Sequence, residues 1–168
     1  LPYEIPSIDT LGLPQSVIDL TSRRKGLILI TGTTGSGKST TLASIIYKLT
    51  QELEGHIITI EDPIEYLYPH SKAQVNQREV GVDTESFASG LKSAWRQDPD
   101  VVVVGELRDV ESMAAAITIA ETGHLVFGTL HTNTASGTIN RLVDAFPADK
   151  QDVIRVNLSM SLLAVVAQ

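Results

Sequence analysis

Residues 32–39 spell Gly32-Thr33-Thr34-Gly35-Ser36-Gly37-Lys38-Ser39 and match the full pattern G-x-x-x-x-G-K-[ST] of a phosphate-binding loop. The glycines allow backbone N–H groups to surround an anion, and a helix that follows adds the positive end of its dipole. We expect Lys38 to reach the β- and γ-phosphates of a nucleotide, the Ser39 hydroxyl to bind Mg²⁺, and Thr40 to complete the nucleotide-binding set. The competing interpretation is a glycine turn that happens to precede a lysine.

Apolar runs alternate with turn signals on both sides of this loop, in the strand–helix rhythm of an α/β fold with a mostly parallel sheet. The segment 62–82 predicts a loop with a small edge strand. The pattern of a buried strand is found in four runs: 27–31, 56–61, 101–104 and 125–130. Helical patterns cover six segments, with Asp83 as the expected N-cap of the third: 9–24, 38–53, 84–97, 110–122, 135–145 and 149–167.

The composition is that of one folded domain, with 168 residues of which 42% are hydrophobic. Lysine and arginine number 13 against 20 aspartates and glutamates, and the resulting charge of −7 argues against a nucleic-acid partner, whose phosphates require a basic surface. No apolar run approaches the roughly 18 residues that span a bilayer, so direct membrane insertion is not expected. Because the sequence has no cysteine, disulfides, thiol nucleophiles and cysteine zinc sites are excluded.

Three carboxylates lie at the end of the predicted strand 56–61, in the stretch Glu61-Asp62-Pro63-Ile64-Glu65. A nucleoside triphosphatase needs one carboxylate near Mg²⁺ and another to orient or deprotonate water, and both usually stand where parallel strands beside the phosphate loop end. Glu61 is the candidate for this work. Structural roles are open for its neighbours, since Asp62 can shape a turn before the proline and Glu65 can be a solvated charge.

The second carboxylate-bearing strand end is Val101-Val102-Val103-Val104-Gly105-Glu106-Leu107-Arg108-Asp109. Its apolar run is typical of a Walker B strand, but a glycine stands where the usual aspartate is found. Glu106 must therefore do any metal or water work at this strand end, through a bridging water. Arg108 is open between a functional role and a surface charge, and Asp109 can simply cap the next helix.

A histidine stands at each end of the predicted strand 125–130, His124 before it and His131 after it. Neither has a partner at the spacing of a zinc site, and a lone histidine is more often a packing or hydrogen-bonding residue. His131 lies at the carboxyl end of the strand, the edge that also carries the nucleotide. We therefore expect His131 to be the functional one, as a sensor of the γ-phosphate.

These motifs, in this order, resemble the secretion ATPase superfamily that powers type II secretion and type IV pili. The resemblance covers most of the chain, and three stretches are similar to the branch that retracts pili in twitching motility: 75–81, 98–100 and 146–151. Relatives that extend pili or drive type II secretion commonly carry a four-cysteine metal insert, which this sequence lacks. Extension and type II secretion remain the alternatives within the superfamily.

The resemblance implies a three-layer, RecA-like P-loop NTPase core occupying residues 1–168 as a single domain. It implies that Lys38 and Ser39 hold ATP and Mg²⁺, that Glu61 is the general base for the attacking water, and that Glu106 takes the Walker B role. His124 and His131 would form a histidine box that couples the site to neighbouring subunits. We expect the core to be cut at both ends, without the N-terminal PAS-like domain and the C-terminal helical region of the family.

Family members are homo-hexameric rings, so the resemblance also implies a partner in the inner-membrane platform protein of the pilus machine. The expected location is cytoplasmic and peripheral, at the inner-membrane face. Three other classes compete with the motor. A small-molecule kinase would need an acceptor-binding lid that the sequence does not show, a nucleic-acid translocase is disfavoured by the acidic charge, and a fragment that binds ATP without turnover stays open.

Overall fold

Six parallel strands form the central sheet of the computed structural model, which describes residues 4–168. The strands lie in the order β3-β2-β4-β5-β1-β6. In chain order their bounds are β1 Gly26–Thr31, β2 His56–Glu61, β3 Gln74–Glu79, β4 Val101–Val104, β5 Leu125–Leu130 and β6 Leu162–Ala167. The described range also holds six α-helices: α1 Gln15–Ile18, α2 Lys38–Glu52, α3 Phe87–Trp95, α4 Val110–Glu121, α5 Ala135–Asp144 and α6 Gln151–Ser161.

The central strands β1, β4 and β5 are buried on both faces, which explains their unbroken apolar runs. Successive residues of a strand point to opposite faces, so Leu27 and Leu29 of β1 pack with α3, α4, α5 and α6 while Ile28 and Ile30 pack with α2. Two apolar cores result, one on each side of the sheet. The three-layer α/β architecture predicted from the sequence is confirmed.

The predicted strands and the small edge strand in the segment 62–82 are all present, but the first predicted helix, over 9–24, is wrong. That segment forms two 3₁₀ turns, Ile8–Thr10 and Asp19–Ser22, on either side of the short α1. Gly12 has a φ of +66°, in the left-handed region, and Pro14 disfavours helical geometry in the residue before it. A continuous helix is therefore interrupted twice.

The last predicted helix, over 149–167, is wrong beyond Ser161. The remaining residues form β6, which adds to the free edge of β1 in parallel. β-branched Val165 and Val166 suit a strand, and pairing with β1 satisfies the backbone groups of alternate residues of β6. A short apolar run without flanking turn residues looks the same in a buried strand and in a helix, so the local pattern could not distinguish them.

The N-cap of α3 also differs from the prediction. Ser86 caps the helix: its hydroxyl accepts a hydrogen bond from the Ser89 N–H at 3.0 Å, and the Ser89 hydroxyl accepts one from the Ser86 N–H at 3.0 Å. The Asp83 carboxylate instead accepts a hydrogen bond from the Glu79 N–H at 2.8 Å. The predicted Asp83 cap is therefore wrong, and α3 begins only at Phe87.

Because the strands are parallel, the carboxyl ends of β1, β2, β4 and β5 meet at one edge of the sheet. The phosphate loop leaves this edge after β1 and enters α2, which begins at Lys38. The edge is the expected place for a ligand in a fold of this type. Within residues 4–168, no helix is both long and apolar enough to cross a bilayer.

Candidate nucleotide-binding site

The phosphate loop has the backbone geometry that its glycines predict. Gly37 lies at a φ of +97° as the N-cap residue of α2. Gly32 has a φ of +151°, and a Cβ atom added there would lie 2.5 Å from the Ser36 hydroxyl oxygen. Only glycine fits both positions without strain. The loop thus turns tightly into α2, whose first-turn N–H groups have no partner within the helix.

Lys38 is buried against the loop that precedes it. Its Nζ donates hydrogen bonds to the carbonyl oxygens of Gly32 at 2.8 Å and Thr33 at 3.0 Å, and it lies 3.5 Å from Nδ1 of His131. Among residues 4–168 no carboxylate forms a salt bridge with this ammonium group. Lys38 therefore supplies an unneutralised positive charge beside the loop, where phosphates would bind.

A cleft of about 480 Å³ opens over the loop, and we call it the main cleft. It is bounded by the loop, the first turn of α2 and the carboxyl ends of β2, β4 and β5. Four carboxylates line it: Glu61, Asp62, Glu65 and Glu106. The structure thus brings the two carboxylate-bearing strand ends together with the phosphate loop, as the sequence predicts.

Glu61 ends β2 and is held from one side. The Thr59 hydroxyl donates to its Oε2 at 2.7 Å, and the Gln77 Nε2 donates to the same oxygen at 3.0 Å. Burial raises the pKa of the Glu61 carboxyl above its ordinary value; the two hydrogen bonds oppose that rise, and the negative charges of Glu65 and Glu79 add to it. A carboxylate with a raised pKa accepts a proton more readily at neutral pH, which suits a general base.

Glu106 is the centre of a charged network at the end of β4. Its Oε1 lies 2.9 Å from Nε2 of His131, and its Oε2 accepts a hydrogen bond from Nε of Arg108 at 2.6 Å. Arg108 also binds Asp62 Oδ2 at 3.2 Å, and its guanidinium lies 5.4 Å from the centre of the Phe87 ring. A continuous chain of polar contacts therefore runs from Asp62 through Arg108, Glu106 and His131 to the lysine of the phosphate loop.

Oxygen donors suited to Mg²⁺ are present in the main cleft. The exposed Ser39 hydroxyl has no hydrogen-bond partner in the part of the chain that the structure describes, so its oxygen is available as a ligand. Both oxygens of Glu106 already have partners, which favours contact with the metal through water. Mg²⁺ prefers oxygen ligands and usually keeps several waters, so these residues fit the ion.

Two of the predicted candidates do not belong to the main cleft: Asp109 caps a helix, and His124 lies at the other end of its strand. Asp109 is the N-cap of α4, where its Oδ1 accepts a hydrogen bond from the Ser112 N–H at 2.8 Å. His124 lies at the opposite end of β5 from His131, with its Nδ1 3.1 Å from the Ile119 carbonyl oxygen. The structure does not bring His124 to the main cleft, and its role in subunit coupling stays a prediction.

Two residues of the site escaped the sequence analysis. Gln77 contacts Glu61 from β3, and the Tyr66 hydroxyl lies 3.3 Å from the Thr40 hydroxyl at the wall of the main cleft. Gln77 belongs to the stretch 75–81 that carries the family resemblance, which was the one available signal. No spacing rule connects a glutamine on an edge strand to a carboxylate 16 residues earlier.

Comparison with known proteins agrees with this geometry. A family model described as type II/IV secretion system protein matches residues 8–168. The chain belongs to this family. This membership confirms the family resemblance seen in the phosphate loop, the carboxylate-bearing strand ends and the two histidines.

Individual members of the type II/IV secretion family show how far the similarity extends. The Escherichia coli K12 protein YggR, itself described only as uncharacterized, is 51% identical over the whole chain, which covers 52% of that relative. The type IV pilus retraction ATPase PilT of Pseudomonas aeruginosa is 49% identical over the whole chain, which covers 49% of it. The chain spans about half the length of these curated relatives.

A crystal structure of the pilus retraction motor PilT with bound ADP superimposes with a TM-score of 0.95 at 59% sequence identity. The match covers 98% of this chain and 48% of that one. The family therefore shares both the sequence and the three-layer fold described above, and the similarity includes members of its pilus retraction branch.

Proposed function

We propose that this chain is the ATP-hydrolysing core of a type IV pilus motor that powers pilus retraction and twitching motility. The observation that carries the proposal is the meeting of Lys38, Glu61 and Glu106 in one cleft over the phosphate loop. The similarity of this chain to PilT from Pseudomonas aeruginosa and to the retraction motor crystallised with ADP supports pilus retraction as its function. The reaction is hydrolysis of ATP to ADP and phosphate.

In the proposed mechanism the loop N–H groups and Lys38 bind the phosphates. Ser39 would hold Mg²⁺ directly and Glu106 would hold it through water, and the ion, when bound, would supply positive charge to the phosphates. Glu61 accepts a proton from the attacking water at its Oε1, because its Oε2 already accepts hydrogen bonds from Thr59 and Gln77. His131 lies between Lys38 and Glu106 and responds to the charge at the γ-phosphate.

The remaining parts of the proposal concern the whole protein. We propose a homo-hexameric ring that acts on an inner-membrane platform protein from the cytoplasmic side, with residues 1–168 as the ATPase core of a longer chain. Hydrolysis then produces motion between subunits, and His124 and His131 couple each site to its neighbours. The full-length relatives, about twice as long as this chain, support the expectation of further domains.

The first test is nucleotide binding by the Lys38→Ala variant of the whole protein. Loss of the positive charge beside the loop should weaken Mg-ATP binding about 100-fold, or about 2.7 kcal/mol. Lys48→Ala is the matched control, because Lys48 lies on the same helix and pairs with Glu52 at 2.7 Å, away from the main cleft. Equal affinity in Lys38→Ala and Lys48→Ala would contradict the proposed site.

The second test separates binding from turnover with Glu61→Gln. Removing the proton acceptor should lower steady-state phosphate release about 100-fold or more while Mg-ATP still binds. Glu54→Gln, an exposed change just before the start of β2, the strand that ends at Glu61, should leave the rate unchanged. Turnover of Glu61→Gln at the wild-type rate would assign the base to another residue.

The direction of pilus movement is tested in cells. If the protein retracts pili, the Glu61→Gln strain should keep surface pili but lose twitching, because extension continues without retraction. If it extends pili, the same strain should lose surface pili altogether. Electron microscopy of the cells beside a twitching assay distinguishes these outcomes.

A further inference from the structure

Gln77 lies next to the proposed general base and joins it to the loop that follows β2. It lies on the edge strand β3, paired in register with Thr59 of the neighbouring β2. Its Nε2 donates to Glu61 Oε2 at 3.0 Å and to the Tyr66 carbonyl oxygen at 2.8 Å, and its Oε1 accepts from the Tyr68 N–H at 3.0 Å. One side-chain amide thus joins the carboxylate of Glu61 to the loop that follows β2.

This set of partners fixes the orientation of the amide. A rotation by 180° would place Oε1 against two oxygen acceptors and Nε2 against an N–H donor, so every contact would be lost. Three hydrogen bonds to three different groups hold the Gln77 side chain in a single arrangement. Its Nε2 is therefore a fixed donor directed at Glu61.

The hydrogen bond that Gln77 donates to Oε2 determines which oxygen of Glu61 can contact water. Thr59 and Gln77 both donate to that oxygen, so Oε1 is the oxygen that remains for a water molecule. Both donors also stabilise the charged carboxylate against its burial. Among the residues that the structure describes, Glu65, Glu79 and Tyr68 are the titratable groups that interact with Glu61, and the two carboxylates act in the opposite sense to the donors.

We propose that Gln77 is a positioning residue for ATP hydrolysis, which orients the Glu61 carboxylate and keeps it in its proton-accepting form. The inference rests on the proposed function, in which Glu61 is the general base. It assigns a role to one residue of the stretch 75–81, which the sequence alone indicated only as similar to one branch of the family. Gln77 itself is not among the residues that line the main cleft.

Two substitutions separate this role from a merely structural one. Gln77→Leu removes all three hydrogen bonds. Gln77→Glu keeps the shape and an acceptor for the Tyr68 N–H but cannot donate to Glu61, and its negative charge opposes ionisation of that neighbour. The matched control is Asn76→Leu, since Asn76 is an amide on the same strand whose Nδ2 contacts His56 at 3.0 Å, away from the main cleft.

The experiment measures kcat and KM for Mg-ATP, each as a function of pH, in the whole protein. We expect Gln77→Leu and Gln77→Glu to lower kcat about 10- to 100-fold with little change in KM, as for other residues that orient a catalytic group. The acid limb of the kcat profile should move to higher pH in both, and further in Gln77→Glu. Asn76→Leu should retain the wild-type profile.

The outcomes are distinct. If kcat falls but the acid limb stays in place in both variants, Gln77 only supports the loop and the inference is overturned. An unchanged kcat in Gln77→Glu overturns it as well, and because that variant preserves the shape of the side chain, misfolding of Gln77→Leu does not obscure the result. A wild-type protein that binds Mg-ATP without turnover overturns the proposed function itself, and the inference with it.

Discussion

Glu61 shows how one residue can favour activity at the expense of stability. Its burial raises the pKa of the carboxyl in the folded protein above the value in the unfolded chain. Between these two values the folded protein binds more protons than the unfolded one, so stability falls as pH rises through that window. Above the window the full cost of the buried charge remains. A stabilising change at this position should therefore also be an inactivating one.

We predict that Glu61→Gln raises the melting temperature at neutral pH and that the gain disappears at acidic pH, below the ordinary range of a glutamate. The amide carries no charge to bury, whereas the wild-type carboxyl becomes a buried charge once the pH exceeds its raised pKa. Thermal unfolding of both proteins across pH 3–8 checks this. The exposed Glu54→Gln should show no such trend, and a lower melting temperature for Glu61→Gln at neutral pH would contradict the prediction.

Arg108 binds carboxylates from two strand ends and thereby fixes the position of Glu106 relative to Asp62. We predict that Arg108→Ala lowers kcat about 10- to 100-fold, because Glu106 loses one of its two partners. Arg108→Lys should recover only part of the rate, since an ammonium cannot reproduce the planar fork. Steady-state phosphate release is the measurement.

The control for Arg108 is Arg155→Ala, because Arg155 pairs with the exposed Asp152 on α6, away from the main cleft. Exposed ion pairs of this kind contribute little to stability, and this one lies away from the main cleft. The rate of phosphate release should therefore stay at the wild-type value. Equal rates in Arg108→Ala and Arg155→Ala would show that the Arg108 pairs are only surface ion pairs.

At the scale of whole elements, the sequence predicted those whose signals are local. The phosphate loop places β1 before it and α2 after it, and the valine run of β4 has no helical alternative at its length. Leu162–Ala167 has equally apolar residues, but its strand character comes from the open edge of β1, a partner more than 130 residues away in sequence. Pairing with β1 determines that this segment is a strand, and the local sequence pattern does not carry that information.

The same distinction applies to helix starts. Asp109 is followed by an apolar helix and caps it, as the sequence allowed, whereas Asp83 resembles a cap and instead binds the backbone of β3. At the site, Glu61 and Glu106 were predictable because strand ends carry them to a shared edge. Gln77 was not, because its contact depends on the parallel register of β2 and β3.

We predict that Asp109→Ala lowers the free energy of unfolding by about 1 kcal/mol, the usual cost of losing an N-cap. Asp109→Ser should retain most of the stability, because a hydroxyl can accept the same hydrogen bond from the Ser112 N–H. Asp152→Ala, in the exposed first turn of α6 where the carboxylate caps nothing, should change stability by less than about 0.5 kcal/mol. Chemical denaturation measures all three, and equal losses in the two alanine variants would contradict the capping role.

At the scale of the whole molecule, the charge of the main cleft indicates that the residues lining it do not by themselves complete a triphosphate site. Among the described residues that line it, Lys38 is the one lysine or arginine, against four carboxylates. Arg108 is already bound to Glu106 and Asp62. A triphosphate carries several negative charges, which Mg²⁺ and one lysine only partly neutralise, so further cations have to come from outside these residues.

We predict that a neighbouring subunit supplies them, so that specific activity rises with protein concentration as the ring assembles. Phosphate release per subunit should be near zero where sedimentation shows monomers and should reach a plateau where it shows the assembled ring. Mg-ATP binding should persist at both concentrations, because the phosphate loop and Lys38 lie within one chain. Lys38→Ala, assayed over the same range, gives the background rate. Specific activity that stays constant from monomer to ring would show that the cations come from elsewhere in the same chain, and that assembly transmits motion without completing the catalytic site.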